Sequence, residues 1–296
     1  MTQFLSLLLN GLSLGAVYAL IALGFVIIFK ASEVTSFMQG SLLLLGAYLV
    51  GHYDQKIGFW PALVIGIGGA AIAAVLVERL IINRLRGAPV IGLAILTIGV
   101  DLIIITELTR RIGSDILNVD HPWGGRSISF GGVGITANRA VAIVVAGVLI
   151  AGFFAIFKYS NWGISMRAAA EDGEAAALMG IHRGRVSMFA WMVAGVLAAV
   201  AGLFAVGSPT PGVTPAVATV ALSALPAAIL GGLDSTGGAL VGGLMVGIAE
   251  AMAAGYQDQI AFLGRGFGDV VPYVVMVAVL LVRPSGLFGT KELTRV

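Results

Sequence analysis

Two carboxylates inside apolar segments are the residues of this sequence best suited to carry chemistry. Asp101 interrupts the stretch TIGVDLIIITE, and Glu250 interrupts VGIAEAM. A carboxylate is costly to bury in such surroundings, so each one marks either a pathway for an ion or proton or a hydrogen bond to a neighbouring helix. Gln39, which follows the polar turn TSFM, is a third candidate for a pathway or structural role. The sequence alone leaves both roles open for all three residues.

The motifs of several enzyme classes are absent. There is no GxxxxGK[ST] loop for nucleotide phosphates, no HExxH and no G-x-S-x-G elbow. His52, His121 and His182 lie far apart near segment ends, and there is no cysteine, so metal-ligand spacings and thiolate sites are missing. Glu78 and Glu107 lie near segment ends next to arginines and are expected to be interfacial carboxylates. The sequence therefore predicts a chain without a catalytic residue, metal or cofactor of its own.

The composition is typical of a membrane protein. Of the 296 residues, 58% are hydrophobic and only 11% are charged, whereas a soluble domain carries about 25% charged residues. The mean hydropathy is +1.01. The 42 glycines suit a membrane bundle, because small residues let helix backbones approach closely. A net charge of +2, with basic residues at the ends of apolar runs, does not favour nucleic-acid binding.

Nine apolar segments are long enough, or nearly so, to cross a bilayer, which takes about 20 residues. The segment 38–53 is short and 216–233 contains Pro226, so either could be a broken or re-entrant helix. The sequence therefore predicts an all-α, polytopic helical bundle of about eight or nine spans, forming a single domain over 1–296. The nine segments are 8–29, 38–53, 60–82, 90–109, 139–158, 187–206, 216–233, 237–255 and 269–283.

The distribution of lysine and arginine between the two ends of the predicted spans indicates how the bundle is oriented in the membrane. With these segments, eleven basic residues fall on one side and six on the other, so the first side is expected to be cytoplasmic. This places the C-terminus and a loop at about 160–186 in the cytoplasm. Nine spans would put the N-terminus outside, and eight would put it inside. No basic region precedes the first apolar segment, which is therefore expected to be a retained span. The outer stretch RSISFGGVGIT is expected to form a short hairpin.

The stretch RAAAEDGEAAALMGI, at 167–181, carries unusual charge for this chain. It is rich in alanine and free of proline, which predicts a helix from Ser165 to Ile181 that stops at Gly180. The stretch is too short to span a membrane, and its small and acidic residues suit docking on another protein. The alternative is a solvated helix at the membrane surface. The residues assigned to docking are Arg167, Glu171, Asp172, Glu174, Ala175, Ala176, Gly180 and Ile181.

Part of this stretch resembles a known signature. EAAALMG matches the E-A-A-x-x-x-G pattern of ABC importer permeases at Glu174, Ala175, Ala176 and Gly180, although MFAW stands where I-x-L-P usually follows. The wider sequence resembles the branched-chain amino acid permeases of the Liv H type. That resemblance depends on NGLSLGAVYALIALGFVIIF, RAAAEDGEAAALMGI, AAILGGLDSTGGALVGGLMVGIAEA and RPSGLFG. One departure is TSFMQG, where the family often has an NFAHG-like stretch.

The resemblance implies the membrane subunit of an ATP-driven importer in a bacterial cytoplasmic (inner) membrane. Its partners would be a second, M-type permease, two cytoplasmic ATP-binding subunits, an extracytoplasmic binding protein and membrane lipid. ATP and Mg would bind the partner subunits, and substrate would pass between the two permeases. Branched-chain or other small amino acids are the expected substrates, with urea or short-chain amides as alternatives. A proton-coupled secondary transporter that uses Asp101 or Glu250, a channel and a membrane scaffold also remain open.

Overall fold

The computed structural model describes residues 2–85, 87–113, 116–124, 126–130, 133–207, 212–259 and 266–289. The predicted cytoplasmic C-terminus, Val296, lies outside these residues. The helices in chain order are α1 Thr2–Ser32, α2 Gln39–Ile57, α3 Phe59–Val77, α4 Val90–Ile112, α5 Ala137–Tyr159, α6 Asn161–Glu171, α7 Gly173–Leu178, α8 Arg183–Ala205, α9 Val220–Gly231, α10 Thr236–Gly255 and α11 Val271–Val282.

Three short helical segments extend these helices. A π-helical segment, Glu78–Ile82, continues α3, and the 3₁₀ segments Pro215–Thr219 and Phe267–Val270 lead into α9 and α11. Among the described residues, six helices are long and apolar enough to cross a membrane: α1, α3 with its continuation, α4, α5, α8 and α10. Two shorter apolar segments, Pro215–Gly231 and Phe267–Val282, accompany them. The chain is thus an all-α membrane protein, and each of the nine predicted segments corresponds to a helix.

Helix α1 is the centre of the bundle. Its residues from Gly15 to Ile28 are buried on every side, as expected for a helix that is apolar all round. Helix α10 packs along it in the antiparallel direction, with Gly243 against Ala19 and Gly247 against Gly15. A Cβ atom at either glycine would meet the backbone of α1. The glycine content of the sequence therefore permits the closest helix contact in the core.

The outer helices leave apolar surface uncovered. Val64 of α3 is 72% exposed, Ile91 of α4 is 75% exposed and Leu281 of α11 is 82% exposed. Val148 of α5 is also exposed. Apolar surface of this extent suits lipid or another membrane subunit rather than water.

The connection between α4 and α5 contains the predicted hairpin. Strand β1, Ser127–Phe130, pairs antiparallel with β2, Val133–Thr136, and residues 131 and 132 lie outside the described part of the chain. The same connection is tied to the end of α2, because the Asp54 carboxylate accepts a hydrogen bond of 2.7 Å from the backbone of Asp120. The hairpin prediction is confirmed.

The prediction of one continuous helix from Ser165 to Ile181 is wrong. Asp172 is extended, with φ −151° and ψ 102°, and it divides the stretch into α6 and α7. Its carboxylate accepts hydrogen bonds from the backbone nitrogens of Glu174 and Ala175, at 3.0 and 2.9 Å. An aspartate can cap a new helix in this way, and this competes with continuing the old one.

Glu78 also differs from its prediction, whereas Glu107 agrees. Glu78 is buried, with 1% of its surface exposed, at the start of the π-helical segment that continues α3. Glu107 is exposed and forms ion pairs with Arg110 at 2.8 Å and Arg111 at 2.7 Å. It is therefore an exposed carboxylate paired with neighbouring arginines, which agrees with an interfacial position but does not by itself locate the membrane surface.

The connection between α4 and α5 is expected to lose stability in acid through His121. This imidazole stacks on Trp123 at 5.2 Å between ring centroids, and burial lowers the pKa of His121 from its ordinary value of 6.5. The backbone of Val206 and the carboxylates of Asp54 and Asp120 favour a higher pKa but do not cancel this effect. A group whose folded pKa is depressed favours the unfolded chain once the pH falls below the unfolded pKa. Stability should therefore fall as the pH drops below about 6.5.

Thermal melting of the purified protein between about pH 7.5 and about pH 5 measures this effect. His121→Phe keeps an aromatic ring in the stack but cannot be protonated, so its melting temperature should depend less on pH. Equal pH dependence in the wild type and His121→Phe would show that His121 is not responsible.

Candidate functional site

Helix α6 is joined to α5 by a tight corner. The Ser160 hydroxyl caps α6 by accepting a hydrogen bond from the Gly163 nitrogen at 3.1 Å. Gly163 lies so close to Phe157 that a Cβ atom would collide with the Phe157 carbonyl. The corner therefore fixes the direction in which α6 leaves the end of the bundle.

A tryptophan fixes α6 on α8. The Trp162 indole nitrogen donates to the Val186 carbonyl at 3.2 Å, and its ring lies 4.8 Å from that of Phe189. Met166, one turn further along α6, is completely buried. Because α6 contacts α5 and α8 in this way, a force on α6 would reach both spans.

A basic and aromatic cluster joins α6 to α1 and to the turn between α9 and α10. The guanidinium of Arg167 donates to the Phe157 carbonyl and lies over the Phe157 ring. Lys30, in the last turn of α1, lies 5.9 Å from the centroid of the same ring and donates to the Asp234 carbonyl at 2.9 Å. Glu171 lines the small pocket between these groups. The side chain of Arg167 thus contacts Phe157 of its own chain.

Both ends of α7 are capped. Asp172 caps the N-terminal end, as described above. At the C-terminal end, Ile181 donates to the Ala176 carbonyl and Gly180 donates to the Ala177 carbonyl, each at 3.0 Å. Gly180 has φ +85°. This is the Schellman arrangement, in which glycine is favoured because the left-handed conformation strains other residues.

The exposed tip of the helix pair consists of Leu178 and Met179. They are 89% and 84% exposed, which makes them the two most exposed large apolar residues in the described part of the chain. Glu174 is exposed on the same short helix. Two adjacent apolar side chains are therefore uncovered at the end of a doubly capped helix, and uncovered apolar surface of this kind suits contact with another molecule.

The structure separates the eight predicted docking residues by environment. Glu171, Glu174 and Ala175 are exposed, and Ile181 is half-buried. Ala176 is only 5% exposed and faces its own chain. Arg167, Asp172 and Gly180 hold the local conformation through the contacts given above. Leu178 and Met179 belong to the same predicted helix but were not among the residues assigned to docking, and their exposure is the feature that the structure adds.

Asp101 is part of α4, and its side chain lies next to the start of α2. Its carboxylate accepts a hydrogen bond of 2.8 Å from the backbone nitrogen of Ser41, and Thr97, one turn earlier on α4, accepts one of 3.1 Å from the nitrogen of Phe37. Helix α2 begins inside the bundle, where the Gln39 side chain packs against Gly24 of α1. A carboxylate is favoured there, because the first nitrogens of a helix lack partners and the helix dipole is positive at that end.

Asp101→Ala is expected to destabilise the protein by about 1–3 kcal/mol, because the Ser41 nitrogen would lose its acceptor in a buried place. Asp101→Asn keeps an oxygen acceptor and should recover much of this loss. Thermal melting in detergent measures both variants, and Glu107→Gln, on the exposed end of the same helix, should leave the melting temperature unchanged. An unchanged melting temperature in Asp101→Ala would contradict a capping role.

Glu250 and Gln39, the other two candidates for a pathway or structural role, lie in different surroundings. Glu250 accepts a hydrogen bond of 2.8 Å from the Tyr18 hydroxyl and lines a cavity at the end of the bundle opposite α7. Gln39 is fully buried, and neither polar atom of its side chain has a hydrogen-bond partner among the described residues. The structure therefore does not bring Asp101, Gln39 and Glu250 into a single relay. No group of three or more potential metal ligands is present among the described residues.

Comparison with known proteins identifies the family. A family model described as the branched-chain amino acid transport system permease component matches residues 7–280. The chain belongs to this family. The high-affinity branched-chain amino acid transport system permease protein LivH of Escherichia coli (strain K12) is 30% identical, over 99% of this chain and 98% of that protein. It follows that the chain is an ABC importer permease and not a catalytic subunit.

Two further relatives have related descriptions. The permease protein BraD of Pseudomonas aeruginosa, also described as part of a high-affinity branched-chain amino acid transport system, is 28% identical over 99% of this chain and 98% of its own length. A probable LivH permease of Methanocaldococcus jannaschii is 30% identical over 93% of this chain and 90% of its own length. Both matches cover nearly the whole chain, so the likeness is not confined to one motif.

Proposed function

We propose that this chain is the membrane subunit of an ATP-driven importer of branched-chain or other small amino acids. In this proposal it crosses a bacterial inner membrane nine times, with its N-terminus outside and its C-terminus in the cytoplasm. The count takes each of the nine apolar helical segments as one crossing, and the connection through α6 and α7 then puts the end of α5 and the start of α8 on the same side. The excess of basic residues at that end supports a cytoplasmic location.

Helix α7 is the part that contacts the ATP-hydrolysing subunit. The exposed Leu178 and Met179 carry this proposal, since a soluble partner with an apolar groove would bury both of them. Glu174 would add a charged contact at the edge of the same surface. The internal bonds of Arg167, Asp172 and Gly180 would hold the tip in position, while Trp162 and Lys30 would pass its movement to α8, α5 and α1.

The complete importer would contain four further subunits. A second homologous permease of the M type would cover part of the apolar surface of α3, α4 and α5. Two ATPase subunits would bind ATP and Mg, and an extracytoplasmic binding protein would deliver substrate. The relatives named above support branched-chain amino acids as substrates. Uptake of urea or a short amide in place of an amino acid would support the alternative substrates.

Reconstitution of the complex into proteoliposomes tests the proposal. Uptake of labelled leucine should require the binding protein and hydrolysable ATP on the side of α7, and it should persist when an uncoupler removes any proton gradient. Uptake of labelled urea and acetamide is measured in parallel. Leucine uptake that needs a proton gradient and no ATP would overturn the proposal in favour of a secondary transporter.

A further inference from the structure

A cavity of about 420 Å³ lies within this one chain, at the end of the bundle opposite α7. It is a partly open cavity, lined by the N-terminal parts of α1 and α5, the C-terminal ends of α8 and α10, the start of α9 and the 3₁₀ segment before α11. Its volume is in the range of about 300–1,000 Å³ that is usual for small-molecule sites.

Most of the cavity wall is apolar. Leu14 and Val17 of α1, Ala142 of α5, Phe204 of α8 and Val220 of α9 contribute to it. Such a lining suits a hydrocarbon side chain, because burial of apolar area stabilises a bound ligand. A small, fully polar molecule would gain little from it.

Two carboxylates lie on one part of the wall. Glu250 of α10 accepts the hydrogen bond from Tyr18, and Asp269 also lines the cavity and interacts electrostatically with Glu250. Glu250 is partly buried and Asp269 is exposed at the edge of the cavity. Two like charges disfavour each other, and a cation between them would stabilise both. An ammonium group is such a cation.

A group of opposite charge lies on the α5 side of the same cavity. The guanidinium of Arg139 lines the wall and donates to the Asn10 side-chain oxygen at 2.5 Å, and Asn138 lies next to it. Guanidinium is well suited to binding a carboxylate, since it presents several donors in one plane. The cavity therefore presents carboxylates, a guanidinium and an apolar wall to the same small volume.

We propose that this cavity is a binding site for a small zwitterion with an apolar side chain, and that it receives the ligand within this chain. Glu250 and Asp269 would hold the ammonium group, Arg139 would hold the carboxylate, and the apolar wall would hold the side chain. The inference rests on the proposed function only for the direction from which the ligand arrives. Urea and a neutral amide carry neither of the two charges that a zwitterion presents, so we expect the cavity to bind them less well.

Photolabelling with a diazirine analogue of leucine tests the site in the purified complex without the binding protein. Labelled peptides should come from α1, α5 and α10, and leucine should compete. Leucinamide, which lacks the carboxylate, should compete less well, and acetamide should not compete. Labelling should fall about ten-fold or more in Glu250→Gln and in Arg139→Gln, as expected when a charge-assisted hydrogen bond is lost.

Controls separate a binding defect from a folding defect and from a failure of the proposed function. Arg139→Lys keeps the charge and should retain part of the labelling, and Asp258→Asn, an exposed change beyond the end of α10, should retain all of it. Labelling of other peptides, or full labelling in Glu250→Gln and Arg139→Gln, would overturn the inference. If the wild type imports leucine with ATP but shows no labelling of the cavity, the site is wrong and the function stands. Absence of leucine import in the wild type would count against the function itself.

Discussion

Leu178→Asp and Met179→Asp are each expected to lower ATP-driven uptake by at least about ten-fold, because each places a charge where the partner subunit would bury an apolar side chain. Both side chains are almost fully exposed, so neither change disturbs packing within the chain. The variants should therefore reach the membrane at normal levels. Uptake and co-purification of the ATPase subunits, measured in the same cells, would report the defect.

A matched change on another loop at the same end of the bundle controls for this prediction. Leu85 is 42% exposed and follows the π-helical segment after α3. Leu85→Asp should retain uptake and ATPase recovery, since it adds the same charge outside the docking surface. Normal uptake in both α7 variants would mean that α7 is only a solvated corner.

Gly247→Ala is expected to have the largest effect on folding, with a loss of about 1–3 kcal/mol or more. The added Cβ atom would collide with the backbone nitrogen of Gly15, and this contact involves two helix backbones that cannot turn away. The variant should therefore be depleted from the membrane and should melt at a lower temperature in detergent.

Gly237, on the same helix, provides the control for that substitution. A Cβ atom there would meet nothing within 4 Å, and alanine favours a helix more than glycine does. Gly237→Ala should therefore be neutral or slightly stabilising. Equal stability of Gly237→Ala and Gly247→Ala would contradict the close contact between α1 and α10.

The helices were largely predictable from the sequence because a helix needs about 20 apolar residues to cross the hydrocarbon core of a bilayer. Every predicted apolar segment corresponds to a helix, including 38–53, which is α2, and 216–233, which is α9 with its 3₁₀ entry. The break at Asp172 was not predicted. Alanine content favours a helix throughout that stretch, and only the capping bonds of Asp172 with the next two residues favour a new helix.

Partners that are distant in the sequence were beyond prediction. Asp101 was recognised as unusual, but its contact with the start of α2 depends on packing between helices far apart in the chain. The same holds for the burial of Ala176 and for the association of Glu250 with Asp269 and Arg139 around one cavity. Periodicity and composition describe single segments, whereas these contacts depend on how segments meet.

Cross-linking from α7 tests most directly whether this helix contacts the ATP-hydrolysing subunit. The chain has no cysteine, so Met179→Cys introduces a single thiol that can carry a benzophenone. Irradiation of the assembled complex should join Met179→Cys to the ATPase subunit, whereas Asn118→Cys, at the opposite end of the bundle, should give no such product. A complex that retains uptake but shows no ATPase cross-link from position 179, or equal cross-linking from both positions, would contradict the account.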